Sequence, residues 1–127
     1  MSILRVNKIH NPSGTEAISI DENTAEVTFP NGFPGIGVGQ TWQNVTSSRS
    51  SGTVYTNNTG KPIMVCVTTA MGTNQRIEAE VGGVKIMDHG GSTIYGAMGI
   101  NPFIVPDNTT YEVTTTQGTI AIWAELR

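Results

Sequence analysis

Charge is scarce in this chain of 127 residues. Asp, Glu, Lys and Arg together make up 13% of it, about half the share of an ordinary soluble protein. The seven basic residues are scattered from Arg5 to Arg127 and the net charge is −3. Phosphate backbones are gripped by clustered Lys and Arg, so no nucleic-acid partner is expected. A single cysteine, Cys66, excludes an internal disulfide. Inside the apolar run Ile63-Met64-Val65-Cys66-Val67 it reads as a buried free thiol. Histidine is almost as rare: His10 and His89 have no spacing relation to one another, and neither a metal nor another cofactor is expected. No stretch approaches the ~20 apolar residues of a membrane span. Met1-Ser2-Ile3-Leu4-Arg5 lacks the apolar core of a secretory signal, so synthesis in a cytoplasm without secretion by that route is expected.

Gly, Ser, Thr and Asn take the place of the missing charge, and Thr alone occurs eighteen times. Thr suits strands, while Gly and Asn suit tight turns, so the composition favours many short strands. Disorder is the competing reading for a chain of low charge and high polarity. Against it, 37% of the residues are hydrophobic and they fall in short alternating clusters, which disordered chains lack.

The chain divides at Phe29-Pro30-Asn31-Gly32-Phe33-Pro34-Gly35-Ile36-Gly37-Val38-Gly39, where two prolines and four glycines exclude regular structure. Residues 1–34 then form an N-terminal arm and residues 35–127 a β-domain. In the arm, Leu4, Val6 and Ile9 are followed by an Asn11–Gly14 turn, with short strands around Ile18 and Ile20 and around Ala25, Val27 and Phe29. An arm of this length holds no core of its own. Leu4, Val6, Ile9 and Ile18 are the docking candidates, to be covered by the following domain, by arms of neighbouring copies, or by another protein.

Beyond the break, strand signals recur every eight to twelve residues. Ile63, Val65 and Val67 face one way and Met64, Cys66 and Thr68 the other; Ile77, Ala79 and Val81 oppose Arg76, Glu78 and Glu80. Gly82-Gly83 supplies the two positive φ angles of a tight hairpin, after which Val84 and Ile86 are expected to continue the inward face. Asp107-Asn108 turns the chain into Tyr111 and Val113. Ile120, Ile122 and Ala124 alternate with Ala121 and Trp123, which predicts a last strand covered on both faces. Only Thr69–Arg76 looks at all helical, and Gly72 weakens it. The fold expected is all-β: an extended N-terminal arm followed by a two-sheet β-sandwich, jelly-roll-like in architecture.

No constellation of catalytic residues emerges. Asp88-His89 reads as a polar turn after a strand. Glu78 and Glu80, roughly 7 Å apart along one strand face, would suit glycoside hydrolysis, but alternation turns both to solvent. Gly35–Gln40 lacks the Lys-Ser/Thr of a phosphate loop. Ser47, Ser48, Ser50 and Ser51 have no nearby His to act as base. Arg49, in their midst, offers a planar fork for backbone carbonyls or for a carboxylate across a subunit boundary. Trp42, set among Thr41, Gln43 and Asn44, and Tyr55 are candidates for a subunit interface or a carbohydrate ligand. Trp123 belongs to the core.

The stretch from Gly37 to Pro62, with its Gly-Gln-Thr-Trp entry, its Arg49-containing Ser/Thr run and its Tyr55-Thr-Asn-Asn-Thr-Gly-Lys-Pro62 close, resembles the C-terminal domains of bacteriophage fibre and tail proteins. The ending Trp123-Ala124-Glu125-Leu126-Arg127 resembles the way such domains close. The opening from Leu4 to Ile20, around Asn11-Pro12-Ser13-Gly14-Thr15, resembles the leaders of phage virion proteins. Met71 to Ile104 carries little of this signal. The resemblance implies a non-enzymatic virion component: a small decoration or cement protein, a spike, or a fibre protein. It also implies a homotrimer that joins coat or tail subunits, with an Arg at the position of Arg49. Two alternatives remain open. One is a receptor-binding fibre tip that presents Gly90–Thr93 or Asn101–Asn108 to host surface glycans; the other is a carbohydrate-binding module.

Overall fold

The computed structural model describes residues 7–29, 35–90, 95–99 and 102–127. Leu4 and Val6 of the arm lie outside them. The chain forms two compact units, Met1–Phe33 and Pro34–Arg127.

In the first unit, β1 (Lys8–His10), β2 (Glu16–Ile20) and β3 (Val27–Thr28) make an antiparallel meander in the order β1-β2-β3. The expected turn joins β1 to β2: Asn11 Oδ1 accepts the backbone N–H groups of Ser13 (3.1 Å) and Thr15 (2.9 Å), which closes the loop without help from elsewhere. Ile9 stands directly across from Ile18, and Ile20 from Val27. Cross-strand partners share a face, so these four side chains form one apolar side of a sheet too small to bury it by itself.

The second unit contains β4 (Trp42–Asn44), β5 (Tyr55–Thr56), β6 (Ile63–Thr69), β7 (Gly72–Thr73), β8 (Arg76–Val81), β9 (Val84–Gly90), β10 (Tyr95–Gly96), β11 (Phe103–Val105), β12 (Thr110–Thr116) and β13 (Ile120–Leu126). Eight of these build two four-stranded antiparallel sheets, β11-β6-β13-β4 and β5-β12-β8-β9; β7 and β10 pair with one another. The pairing is nested. β8 and β9 form the innermost hairpin, then β6 pairs with β11, β5 with β12, and β4 with β13. A long antiparallel hairpin rolled up on itself gives this order, and it is the jelly roll. Gly82 and Gly83, at φ 59° and 77°, make the tip of the inner hairpin.

Side chains from both sheets fill the space between them. Ile63, Val65 and Val67 of β6, Phe103 and Val105 of β11, and Trp123 of β13 meet Ile77 and Ala79 of β8 and Tyr111 and Val113 of β12, all buried. Alternation placed Ile63, Val65, Val67, Ile77 and Ala79 on their observed inner faces.

Four expectations fail, each for a local reason. Val84 and Ile86 are not covered by the core. The register slips between Ala79 and Glu80, which pair with Met87 and Lys85, so Ile86 is an extra residue in β9. This β-bulge shifts the alternation: Met87 takes the place of Ile86 against the core, and Val84, across from Val81 at the tip of the hairpin, is left exposed. The last strand is covered on one side only, because Ile122 lies on an open outer face at 50% exposure. Asp88-His89 is no turn, since β9 continues to Gly90. The helix-like segment is instead the link from β6 to β8 through the short β7, held by Gln75, whose Oε1 accepts from Thr69 Oγ1 (2.6 Å) and whose Nε2 donates to Ala70 O (2.8 Å).

Asn57 pins the roll from within. Its Nδ2 donates to the carbonyls of Lys61 (2.8 Å), Val105 (3.1 Å) and Pro106 (3.1 Å), and its Oδ1 accepts from Thr59. The turn after β5 is thereby tied to the end of β11. Asn57→Ala leaves three carbonyls without this donor and should remove about 2–3 kcal/mol of unfolding free energy, measured by urea denaturation.

Candidate functional site

The most densely connected group of side chains centres on Glu125. Alternation along β13 turns Trp123 and Glu125 to the same inner face, and both are fully buried. A lone carboxylate there would be prohibitively costly, and this one is saturated. Oε1 accepts from Arg49 Nε (2.8 Å), Tyr111 Oη (2.7 Å) and Trp123 Nε1 (3.1 Å); Oε2 accepts from Arg49 Nη2 (2.9 Å) and Arg127 Nη1 (2.7 Å). Arg49 thus makes a two-pronged contact from the segment after β4 to the last strand. Its guanidinium also lies over the Tyr55 ring, 4.5 Å from the centroid. Tyr55 in turn meets Trp123 edge-on at 5.9 Å and Tyr111 at 5.8 Å, and its hydroxyl accepts from Ser50 N–H (2.8 Å).

Burial pushes the Glu125 carboxyl up, but hydrogen bonds from Arg49, Tyr111 and Arg127 more than offset this and hold it below its ordinary value. Burial and the bond to Glu125 push the Tyr111 hydroxyl well up. The group therefore holds a carboxylate and a neutral phenol over a wide pH range. Among the described residues, no buried side-chain polar atom lacks a partner, and no group of three His, Cys, Asp or Glu is placed to hold a metal. This arrangement braces the fold. A carboxylate so fully engaged has no lone pair free to accept a substrate proton.

The two outer faces of the sandwich differ sharply. On β5-β12-β8-β9 the outward row is charged and paired. Arg76 grips Asp88 through Nε (2.9 Å) and Nη2 and reaches Glu78 at 3.0 Å, while Lys85 Nζ lies 2.7 Å from Glu78. The Arg76 hydrogen bonds hold the Asp88 carboxyl below its ordinary value. Glu78 and Glu80 lie on this outer side, as alternation requires, with Glu78 tied into the ion pairs. No convergent acid pair results.

The outer face of β11-β6-β13-β4 is apolar. One row runs straight across four strands: Ile104 beside Met64, Met64 beside Leu126, Leu126 beside Trp42. The next row carries Cys66, Ala124 and Asn44, and a third pairs Thr68 with Ile122. No residue of these rows is charged. Trp42 and Ile104, at the two ends of the long row, are each 53% exposed.

The sequence candidates thus part company. Trp42 stands on the apolar face, in line with hydrophobic neighbours rather than polar ones. Tyr55 is partly buried, packed against the core. The carboxylate that Arg49 binds belongs to the chain's own last strand and not to a neighbour. Ile9 and Ile18 share one face of the first unit. Of the two loops considered for glycan contact, Gly91–Thr93 and Asn101 lie outside the described residues. Glu125 was missed, although its place two residues after a core Trp puts it inward and a buried acid calls for a nearby Arg.

Arg49→Ala leaves a buried carboxylate with Arg127 as its remaining cation and should cost about 3 kcal/mol of unfolding free energy. Arg49→Met combined with Glu125→Leu should recover most of that loss. The pH profile follows from the same group. Glu125 has its folded pKa below its ordinary 4.5, so its contribution is complete above about pH 4.5 and falls as acid titrates the folded carboxyl. Tyr111, shifted upward from 10.0, contributes fully below about pH 10 and progressively less above it. Denaturant unfolding across pH should show both limbs, and Glu125→Gln should flatten the acid one.

Comparison with family models, with curated proteins and with solved structures finds no match for this chain, so what it does must be read from its own residues.

Proposed function

We propose that this protein is a non-enzymatic structural component of a phage virion, a small decoration or cement, spike or fibre protein, and that it works by being built into a larger assembly. The observation that carries this reading is the uncharged apolar outer face of the β11-β6-β13-β4 sheet. A contiguous apolar patch of this kind on a sandwich whose other side is saturated with ion pairs marks a contact surface. The resemblance to phage fibre and tail domains supplies the kind of assembly. Jelly rolls serve in capsids and in lectins alike, so the fold by itself does not choose between them.

The first unit is the docking element in this reading. Ile9, Ile18, Ile20 and Val27 offer coat or tail subunits an apolar sheet face. Trp42 is exposed enough to stack on a sugar, which is what the carbohydrate-binding alternative needs. Its row-mates Leu126, Met64 and Ile104 offer nothing to sugar hydroxyls, and they favour a protein contact.

Particles purified from the source lysate should contain the chain at a fixed copy number when resolved by gel and identified by mass spectrometry. Ile9→Ser with Val27→Ser should leave the β-domain folded and reduce incorporation at least tenfold. Absence of the wild-type chain from purified particles overturns the reading.

A further inference from the structure

We infer that the cleft beside the turn after β5, between Arg49 and Arg127, binds a carboxylate carried by another molecule. This goes beyond the structural role and does not depend on it.

The cleft is lined by Arg49, Thr56, Asn58, Ile63, Tyr111 and Arg127 and holds about 200 Å³. Its charge is unbalanced. Two guanidiniums, Arg49 and Arg127, share the single carboxylate of Glu125, and the Tyr111 phenol is neutral. Two further charges in the adjoining turns cancel. Lys61 Nζ lies on Val38 O (3.0 Å), and Asp107 accepts from Gly60 N–H (2.8 Å) and Asn108 Nδ2 (2.7 Å). Glu112, beside Tyr111, is on the opposite face of β12. The main-chain oxygen of Arg127 accepts from Thr41 N–H (3.1 Å) in the plane of the sheet, whereas its side chain stands across that plane. The side chains therefore leave one positive charge over. It sits where water is partly excluded, since the Arg49 and Arg127 side chains are 14% and 35% exposed. Attraction for an anion strengthens as the effective dielectric falls.

The unused groups select the ligand. Arg127 donates through Nη1 to Glu125 Oε2 (2.7 Å), while its Nε and Nη2 meet no acceptor among the described residues. The Asn58 amide and the Thr56 hydroxyl are likewise without a partner there. All three can donate, and the planar edge of a guanidinium matches a carboxylate with two parallel hydrogen bonds. One surplus charge answers a monoanion better than a phosphate dianion. A sugar finds no open aromatic face, because Arg49 lies over Tyr55 and Tyr111 is buried. The cleft is also smaller than the ~300–1,000 Å³ of sites that enclose drug-sized ligands. It suits a small free acid or the carboxylate end of a chain.

Titration of the full, ¹⁵N-labelled chain at pH 7 tests this, with acetate exchanged for chloride at constant ionic strength. The Asn58 side-chain amide and Arg127 Nε signals should shift together and saturate. Arg127→Gln keeps Arg49 on Glu125 but removes the surplus charge, and should weaken acetate binding at least tenfold. Asn58→Asp, on an exposed turn, supplies the cleft with a carboxylate of its own. It should keep the wild-type circular dichroism and also lose at least tenfold in acetate affinity. N-acetylglycine, which carries the carboxylate as a peptide end does, separates the two sources. Tighter binding than acetate assigns the cleft to a chain end, equal or weaker binding to a free acid, and either upholds the site.

Shifts that do not saturate, or that chloride alone reproduces, overturn the inference. So does unchanged acetate affinity in a folded Arg127→Gln or Asn58→Asp variant. Inorganic phosphate that binds more tightly than acetate overturns the assignment to a carboxylate.

Discussion

The rest of the sandwich is organised around one constraint: a carboxylate placed where no water reaches it. Glu125 on the last strand can be buried only if cations and donors come to it, and they come from widely separated places in the sequence. Arg49 follows the first strand of the sandwich, Tyr111 lies on β12, and Trp123 and Arg127 flank Glu125 on β13 or just beyond it. The acid thereby ties the first and last strands of the roll together across one end of the core. Tyr55 fills the space beneath the guanidinium and joins this polar group to the aromatic part of the core. Buried ion pairs add little net stability compared with well-packed apolar residues, but they tolerate very few alternative arrangements. In this fold the pair does most for uniqueness, because only the correct closure of β4 on β13 satisfies Glu125.

Nested pairing makes that closure span the longest loop of the roll. The β8–β9 hairpin needs only a two-residue turn, whereas β4 and β13 are separated by most of the unit. Chain entropy disfavours the outer pairs until the inner ones have shortened the effective loops. Arg49 and Glu125 are well suited to reward the step with the least local help. Asn57 does the same one layer further in, by tying the turn after β5 to the end of β11.

Much of this was legible in the sequence, and the limits of legibility are physical. Strict alternation revealed the inner faces of β6, β8 and β12, because a period of two survives as long as the strand does. The Gly82-Gly83 turn was readable because few other dipeptides adopt two successive positive φ angles. Alternation failed at Ile86, where a single extra residue shifts every side chain after it, and a bulge of this kind has no composition signal. Ile122 was assigned to a core because apolar residues on both sides of a strand read as double burial, whether the second cover is the same chain or something else. The Arg49–Glu125 pair was not read because the residues lie far apart in sequence: the spacing after Trp123 turns Glu125 inward, but nothing local names Arg49 as the cation that meets it. The two arm residues Ile9 and Ile18 were chosen for their hydrophobicity alone, and the register of β1 on β2 is what brings them side by side.

The bulge in β9 has a consequence beyond its effect on Ile86. Open sheets invite growth, since every unpaired edge is a template for another strand, and edge-on addition does not close. Three of the four edges of this sandwich are strands of two or three residues, namely β4, β5 and β11. The fourth, β9, has seven residues and is the one edge long enough to recruit a neighbour. It is also the one interrupted by an extra residue and lined with Lys85 and Asp88. A straight strand cannot be laid along it without losing register at Ile86 and stranding a charge. The jelly roll thus discourages polymerisation by strand addition at the longest border among its described residues, so that the hydrogen-bonding groups of β9 are exposed without becoming a template.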